Sequence, residues 1–267
     1  MAETGAALSD RGRVAAAAGT EAGVTAVLRL GFLALLLLIW WAASRAAPAG
    51  LFASPVAVAE ALVRMISEGR LGPALAASLS IYLSGTAAAI VVGVALGALM
   101  GAIRPVGQTL DIYVHALAAT PRVAFIPLII VLLGLGFQAK VLIVFLGAVM
   151  PVILNAYAGV RAADPDLVEM ARAAGASPGR TLVHVVLPGA LPFLVTGIRI
   201  GATIGLINTV VAELYTAVSG LGGLLAIYGS CFHMADYLAV VVVLASIGVA
   251  MTEGLRLIEN RLLRWRG

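Results

Sequence analysis

Along most of this chain apolar residues run for about twenty positions at a time, and polar residues collect in the intervals between the runs. Six runs stand out, over residues 24–43, 78–101, 113–137, 140–160, 191–217 and 237–254. A helix needs roughly 20 apolar residues to cross a hydrocarbon layer of about 30 Å. The runs lack the two-residue alternation of barrel strands, so the spans are predicted to be helices that satisfy their own backbone. The predicted fold class is all-α: a polytopic membrane protein with six transmembrane helices.

The intervals carry their own signals. Residues 1–23 are Ala- and Gly-rich with little periodicity and are expected to form a disordered tail. Trp40 and Trp41 stand at the far end of the first run, where indole rings anchor at the membrane interface. A cleaved signal peptide competes there, because Ala46 and Ala47 follow, but the long lead and the Trp pair argue against it. Ser54-Pro55 predicts a helix start, with Ser as N-cap and Pro in the first turn. Over 54–69, Glu60, Arg64 and Glu68 share one face and Val56, Ala59, Val63 and Ile66 another, which predicts an amphipathic helix lying in the interface and ending near Gly69. Arg104-Pro105 breaks the chain after the second run. Pro121 and Pro127 interrupt the third, whose freed carbonyls then predict a position facing the bundle interior. Pro151 lies within the fourth. Residues 78–258 form the core, and 259–267 a basic tail.

Composition sharpens the class. Hydrophobic residues make up 62% of the 267 positions and charged residues 11%, against about 25% charged in soluble domains. The net charge of +4 does not point to nucleic acid, because the basic residues are scattered between apolar runs without interleaved aromatics. It orients the spans instead. Ten basic residues (Arg11, Arg13, Arg104, Arg161, Arg172, Arg180, Arg256, Arg261, Arg264 and Arg266) fall on one side and four (Arg45, Arg64, Arg70 and Lys140) on the other. The positive-inside rule puts both termini and the interval 161–188 in the cytoplasm. The single Cys231 leaves no internal disulfide.

The interval from Asp164 to Pro188 holds Asp164, Asp166, Glu169, Arg172, Arg180 and His184 between apolar flanks. Asp164-Pro165 is a helix start, and Asp166 favours the first turn electrostatically. Leu167, Met170, Ala171 and Ala174 fall on one face, and Gly175 suits the left-handed residue that ends a helix. Ser177-Pro178 starts a second short helix, predicted to end at Leu187-Pro188 just before the fifth span. Two helices this short are unstable alone. They read either as a loop resting on headgroups or as a docking element for a soluble partner.

At these residues a family resemblance becomes specific. Glu169-Met170-Ala171, three residues, Gly175, nine residues and Val185-Val186-Leu187-Pro188 resemble the EAA motif of binding-protein-dependent ABC importer permeases, with Met170 in place of Ala and Val185 in place of Ile. Phe52-Ala53-Ser54-Pro55, Ala119-Thr120-Pro121-Arg122, Ile126-Pro127-Leu128, Gly134-Leu135-Gly136, Ala212-Glu213 and Ser219-Gly220-Leu221-Gly222 are similar to segments of the nitrate, sulfonate and taurine group, so the resemblance covers about 50–264. It implies a type I (MetI-like) permease of the bacterial inner membrane. It also implies an ATPase-coupling set of Asp164, Glu169, Met170, Ala171, Arg172, Gly175, Leu187 and Pro188. The implied partners are two copies of a cytoplasmic ABC ATPase that holds ATP and Mg, a second permease copy, and an extracytoplasmic binding protein. The implied cargo is a small anion such as a sulfonate, taurine or nitrate.

The residues themselves leave little room for chemistry in this chain. No GxxxxGK[ST] loop is present, the one lysine is Lys140, and the three histidines lie beside different spans, so no cofactor or metal is assigned to the chain. Arg122, Asn208 and Glu213 are the candidates for the translocation path, because ionisable and amide groups inside spans mark such paths. Asn208 and Glu213 lie about 140° apart around their helix, and Glu213 stands near the outer end, where a headgroup-level acid is the plainer reading. The competing functions are an ion-gradient-driven secondary transporter, which needs a buried ionisable relay, and a membrane enzyme, which needs polar groups converging at one face.

Overall fold

The computed structural model describes residues 2–48, 50–217 and 219–262, with side chains of the first helix from residue 23 onward. The described residues are helical throughout and contain no strand. Five helices are long and apolar enough to cross a membrane, and a sixth crossing is made if one bent pair counts as a span.

The first helix, α1 (Ala2–Ala46), runs straight into its span. The tail expected to be irregular over 1–23 is instead helical from Ala2. Alanine has the highest helix propensity, and a membrane-spanning helix next to it removes the cost of nucleation. The span Gly23–Ala46 touches almost nothing else in the chain. Its firm tether is Trp40, whose indole N–H donates to the Ala53 carbonyl at 3.0 Å.

Helix α2 (Pro55–Ser67) starts as predicted, with Ser54 Oγ accepting from the Ala57 N–H. Its outward apolar face is the expected one, and a further stripe meets the protein. Val56, Val63 and Ile66 point outward, and the stripe that buries is Val58, Ala61 and Met65. That stripe packs on Leu221, Leu225, Tyr228 and Val240, and Arg64 reaches Asp236 at 2.6 Å. The helix therefore has two apolar faces, one for the protein and one for lipid, and a sequence reading sees only that both are apolar.

Three helices form the body: α3 (Leu71–Ala102), α6 (Phe137–Arg161) and α9 (Leu187–Thr216). The second span thus begins at Leu71 rather than at 78. Helix α6 lies between the other two, and each meets it through a line of small residues at four-residue spacing. On α3 the line is Gly85, Ala89, Gly93 and Gly97, and on α9 it is Gly197 and Gly201, with Gly205 next in step against Thr86 of α3, all buried. A Cβ at Gly97 would lie 2.5 Å from the Ile153 carbonyl oxygen, and one at Gly201 would lie 2.8 Å from that of Ala148. Lipid tails are as apolar as leucine, so spans associate through close van der Waals approach, which small residues permit.

The third run is not one helix. It comprises α4 (Arg104–Ala119), a 3₁₀ turn (Arg122–Phe125) and α5 (Ile126–Leu133), with an 82° bend at the break. It also lies at the edge of the bundle rather than inside it: Ile112, Val131 and Leu132 are exposed, and α5 buries only Ile126 and Ile129. Burial is not needed because the proline-freed carbonyls find local donors. Leu117 O accepts from the Thr120 N–H, and Val123 O from the Ile126 N–H.

In the interval after α6, α7 (Pro165–Ala173) and α8 (Pro178–Thr181) form as predicted. The second short helix does not end at Pro188, however. It passes through a π turn (Leu182–Val186) into α9, so that Pro178–Thr216 is one apolar helix of 39 residues. Pro188 lacks an N–H, and its ring would crowd the carbonyl four residues back. Widening the preceding turn relieves both problems, with Leu187 N–H bonding Leu182 O. Helices α10 (Gly220–Ser230) and α11 (Met234–Leu262) complete the chain. Arg264 and Arg266 of the expected basic tail lie outside the described residues.

The glycine lines make a graded prediction. Gly97→Val forces α3 away from α6 and should destabilise the folded protein by about 1–3 kcal/mol, the usual cost of overpacking. Gly72→Ala meets nothing within 4 Å and should be neutral. Thermal unfolding of the two variants in detergent distinguishes them.

Candidate functional site

The polar interval lies at one end of the bundle. Asp164 caps α7, its Oδ1 accepting from the Asp166 N–H at 2.9 Å. Gly175 takes φ +79°, and the Ala176 N–H bonds the Ala171 carbonyl at 3.0 Å, so the chain reverses within three residues after α7. The turn depends on glycine, because a side chain at that φ is strained. Val168 and Leu182 pack on Val160, Val186 and Ala190, which fixes α7 against the ends of α6 and α9. The opposite side of α7 is uncovered. Leu167 is 50% exposed and Met170 66%. Together with Ala171, His184, Val185 and Pro188 they line a shallow groove of about 580 Å³. Glu169 and Arg172 are exposed, and Leu187 is half-buried.

Midway along the bundle, Arg122 sits at the α4–α5 break. Its Nη1 donates to the Gly147 carbonyl at 2.7 Å and its Nη2 to the Ala118 carbonyl at 3.3 Å. Gly147 is four residues before Pro151, so its carbonyl is the one that Pro151 cannot serve. The arginine supplies the missing donor and pins the broken helix to α6. Asn208 stands over the same glycine, and a Cβ at Gly147 would collide with its amide. The Asn208 amide itself donates to Ile204 O at 2.9 Å. Two of the three path candidates thus converge on Gly147, and both are engaged with backbone.

The third candidate, Glu213, lies elsewhere. It is fully buried, at 0% exposure, and is not an acid at headgroup level. Its carboxyl accepts from Ser78 Oγ at 2.8 Å and from the Gly222 N–H at 2.8 Å. Ser78 Oγ in turn accepts from the Leu221 N–H at 2.8 Å. The first free N–H groups of α10 are therefore satisfied by side chains from α9 and α3, which a helix start in an apolar setting requires. Gly220, at φ +87°, lies so close that a Cβ there would overlap the Glu213 carboxyl. Lys140, 2% exposed, donates to Ser219 Oγ at 3.0 Å and lies within Coulombic reach of Glu213. Ser78, Lys140 and Ser219 are members of this node that the sequence reading did not assign to the site. A signal existed: Lys140 is the sole lysine, placed at the head of an apolar run.

Comparison with known proteins settles the family. Residues 89–264 match the family described as binding-protein-dependent transport system inner membrane component. The chain belongs to that family of ABC importer permeases. The permease is 34% identical to a taurine transport system permease protein of Escherichia coli over 90% of both chains. It is 36% identical to a putative aliphatic sulfonates transport permease protein of the same organism, over 59% of this chain and 60% of that one. Similarity extends to a riboflavin transport system permease protein of Chloroflexus aurantiacus, 33% identical over 86% and 87% of the two chains. Among solved structures, an inward-facing MetNI methionine ABC transporter matches with a TM-score of 0.62 at 21% identity, covering 70% of the permease and 93% of that chain. The last match speaks for the fold alone.

The permease therefore works in the membrane as part of an ABC importer, and the secondary-transporter reading falls away. Its predicted residues form three separate places rather than one site: an exposed segment at one end, an arginine-pinned break in the middle, and a buried polar node around Glu213.

Two predictions follow from this geometry. Arg122→Met should destabilise the permease clearly, by about 1–3 kcal/mol for an orphaned buried carbonyl, and much less in a Pro151→Ala background, where residue 151 regains the N–H that serves Gly147. A double-mutant cycle on thermal unfolding measures this, and strict additivity contradicts it. Glu213→Ala should leave the Gly222 N–H without an acceptor at similar cost, while Glu213→Gln retains one acceptor and should lose less. Unfolding midpoints of both variants check the order.

Proposed function

We propose that the permease imports a small organic anion of the taurine or alkane-sulfonate kind. The observation that carries this reading is 34% identity with a taurine permease over 90% of both chains. A riboflavin-type heterocycle is the second reading, because a riboflavin permease is nearly as similar.

In this reading the segment 161–188 faces the cytoplasm, as do both termini, and docks on an ABC ATPase that holds ATP and Mg in its own chain. Two ATPases serve two copies of the permease, and a binding protein delivers solute on the opposite side. The exposed apolar face of α7 supports the docking. Leu167 and Met170 uncovered beside a groove are a patch that a partner would bury. Glu169 flanks it as a charge able to fix register. Asp164 and Gly175 hold its two ends, and Leu187 and Pro188 lead it into α9. The exposed faces of α4 and α5 are where a second copy fits. Rigid coupling needs a capped helix and a fixed exit, and both are present.

The test is reconstitution of the permease with its ATPase and binding protein in proteoliposomes. Taurine should stimulate ATP hydrolysis and accumulate inside, and riboflavin should do neither. Stimulation by riboflavin alone transfers the permease to the second reading. Met170→Asp and Glu169→Lys should each reduce ATPase co-elution roughly tenfold or more, as central contacts of an interface do. Normal transport with a normal ATPase complex in both variants would falsify the docking role.

A further inference from the structure

On the side of α7 away from the docking face, a second cavity opens between that helix and the end of α3. It has a volume of about 640 Å³, within the roughly 300–1,000 Å³ of small-molecule sites. Its walls are apolar: Leu99 and Ile103 from α3, Val168 from α7, and Leu182 and Val186 from the π turn. One charged side chain lines it, Arg172, and no acid does.

Among the described residues Arg172, like Arg104 and Arg180, lacks the side-chain partner that two neighbouring arginines have. Arg161 donates to the Tyr157 hydroxyl and Arg199 pairs with Glu259 at 3.0 Å. Arg172 has no ion pair or side-chain hydrogen bond among the described residues. A guanidinium facing an apolar cavity without a counter-charge calls for an anion that carries its own apolar part.

The position of the cavity specifies which one. Helix α3 has 32 residues and is therefore about 48 Å long, well beyond the hydrocarbon thickness of about 30 Å. On the reading that 161–188 faces the cytoplasm, its last turns, which line the cavity, fall at the headgroup level. Basic pockets between spans at that level take anionic lipid headgroups. We propose that the cavity seats an anionic phospholipid, with its phosphate on Arg172 and an acyl chain between Leu99, Ile103 and Leu182. A free phosphate would use Arg172 and leave the apolar walls unfilled. In the proposed docking a soluble partner takes the other side of α7: Val168 and Arg172 lie roughly 130° and 170° from the middle of the Leu167–Met170 face around the helix. The lipid would wedge α7 against α3 from behind while its front carries the docking residues. The seat depends on α7 lying at a headgroup layer and not on the ATPase binding there.

The experiment uses the permease–ATPase complex extracted in mild detergent from membranes containing phosphatidylethanolamine and phosphatidylglycerol. Native mass spectrometry reads the lipid that stays bound. Phosphatidylglycerol should remain on the wild-type complex in preference to phosphatidylethanolamine. Arg172→Gln should lower its retention about tenfold, the value of one charge-assisted contact. Ala102→Trp fills the mouth without touching the arginine and should lower retention as well. Excess inorganic phosphate should not displace the lipid. Equal retention of the two lipids, undiminished retention in Arg172→Gln, or displacement by phosphate overturns the proposal. Co-elution of the ATPase on the same samples reports docking independently, so loss of docking with lipid retained counts against the coupling assignment and not against the lipid seat. If Ala102→Trp fails to fold, Arg172→Gln and the phosphate competition carry the test.

Discussion

Inside a bilayer a backbone N–H or C=O without a partner costs several kcal/mol, because no water is there to replace it. This chain breaks its helices repeatedly, and each break is closed from within. Pro151 orphans the Gly147 carbonyl, and Arg122 fills it. The start of α10 exposes the N–H groups of Leu221 and Gly222, and Ser78 and Glu213 accept them. Pro188 removes a donor from the entry to α9, and a π turn re-pairs the surrounding residues. The irregular places are therefore also the places where distant segments are tied together. Arg122 ties α4 to α6, and the Glu213 node ties α9 to α3 and α10. Arg122 and Glu213 both serve backbone groups inside the spans, which is a structural use of charge and not that of an ion relay.

The regular parts follow a different rule. Helices α3 and α9 approach α6 so closely that Gly85, Gly93, Gly97, Gly197 and Gly201 have no room for a methyl group. Between apolar spans in lipid there is little hydrophobic gain, so contact area at short range is what holds the three together. Helices without such lines, α1 and the α4–α5 pair, are correspondingly uncovered. They are the surfaces left for lipid or, in the proposed assembly, for a second copy.

Much of this was legible in the sequence, and the exceptions have particular causes. Span number, caps and turns were readable because they are local: Ser54, Asp164 and Ser177 accept from the expected turn of helix, and Gly175 is left-handed. The fate of Glu213 was not readable from its distance to Asn208. It was implicit in another spacing: Gly197, Gly201, Gly205, Thr209 and Glu213 fall at successive four-residue steps and are all buried on one face. A carboxyl at the end of a glycine line faces a neighbouring helix, not a headgroup. The stripe of α2 that meets the protein, Val58, Ala61 and Met65, does not stand out in the sequence from the outward one, because both are apolar and only the partner helices choose between them. Pro188 was taken as a stop because a proline ends a regular α-helix, whereas a wider turn lets the helix continue through it.

The continuity through Pro188 matters most for how the two ends of the permease communicate. Pro178–Thr216 is one helix of 39 residues, about 58 Å long. Its first turns belong to the polar interval beside α7, and its last turn carries Glu213, which holds the start of α10. Had the helix ended at Pro188, a push on α7 would have been absorbed in a loop. As a single rod it moves both ends together, along a glycine-lined face that offers α6 few interlocking side chains to climb over. The π turn and the in-helix Pro192 lie at the end beside α7, and the stretch from Gly197 to Glu213 holds no further proline. In the proposed docking, a tilt imposed at α7 would reach α10 as a displacement of its N-terminus. It would do so without breaking the hydrogen bonds that hold that terminus, because Glu213 and the N–H it serves move as one piece.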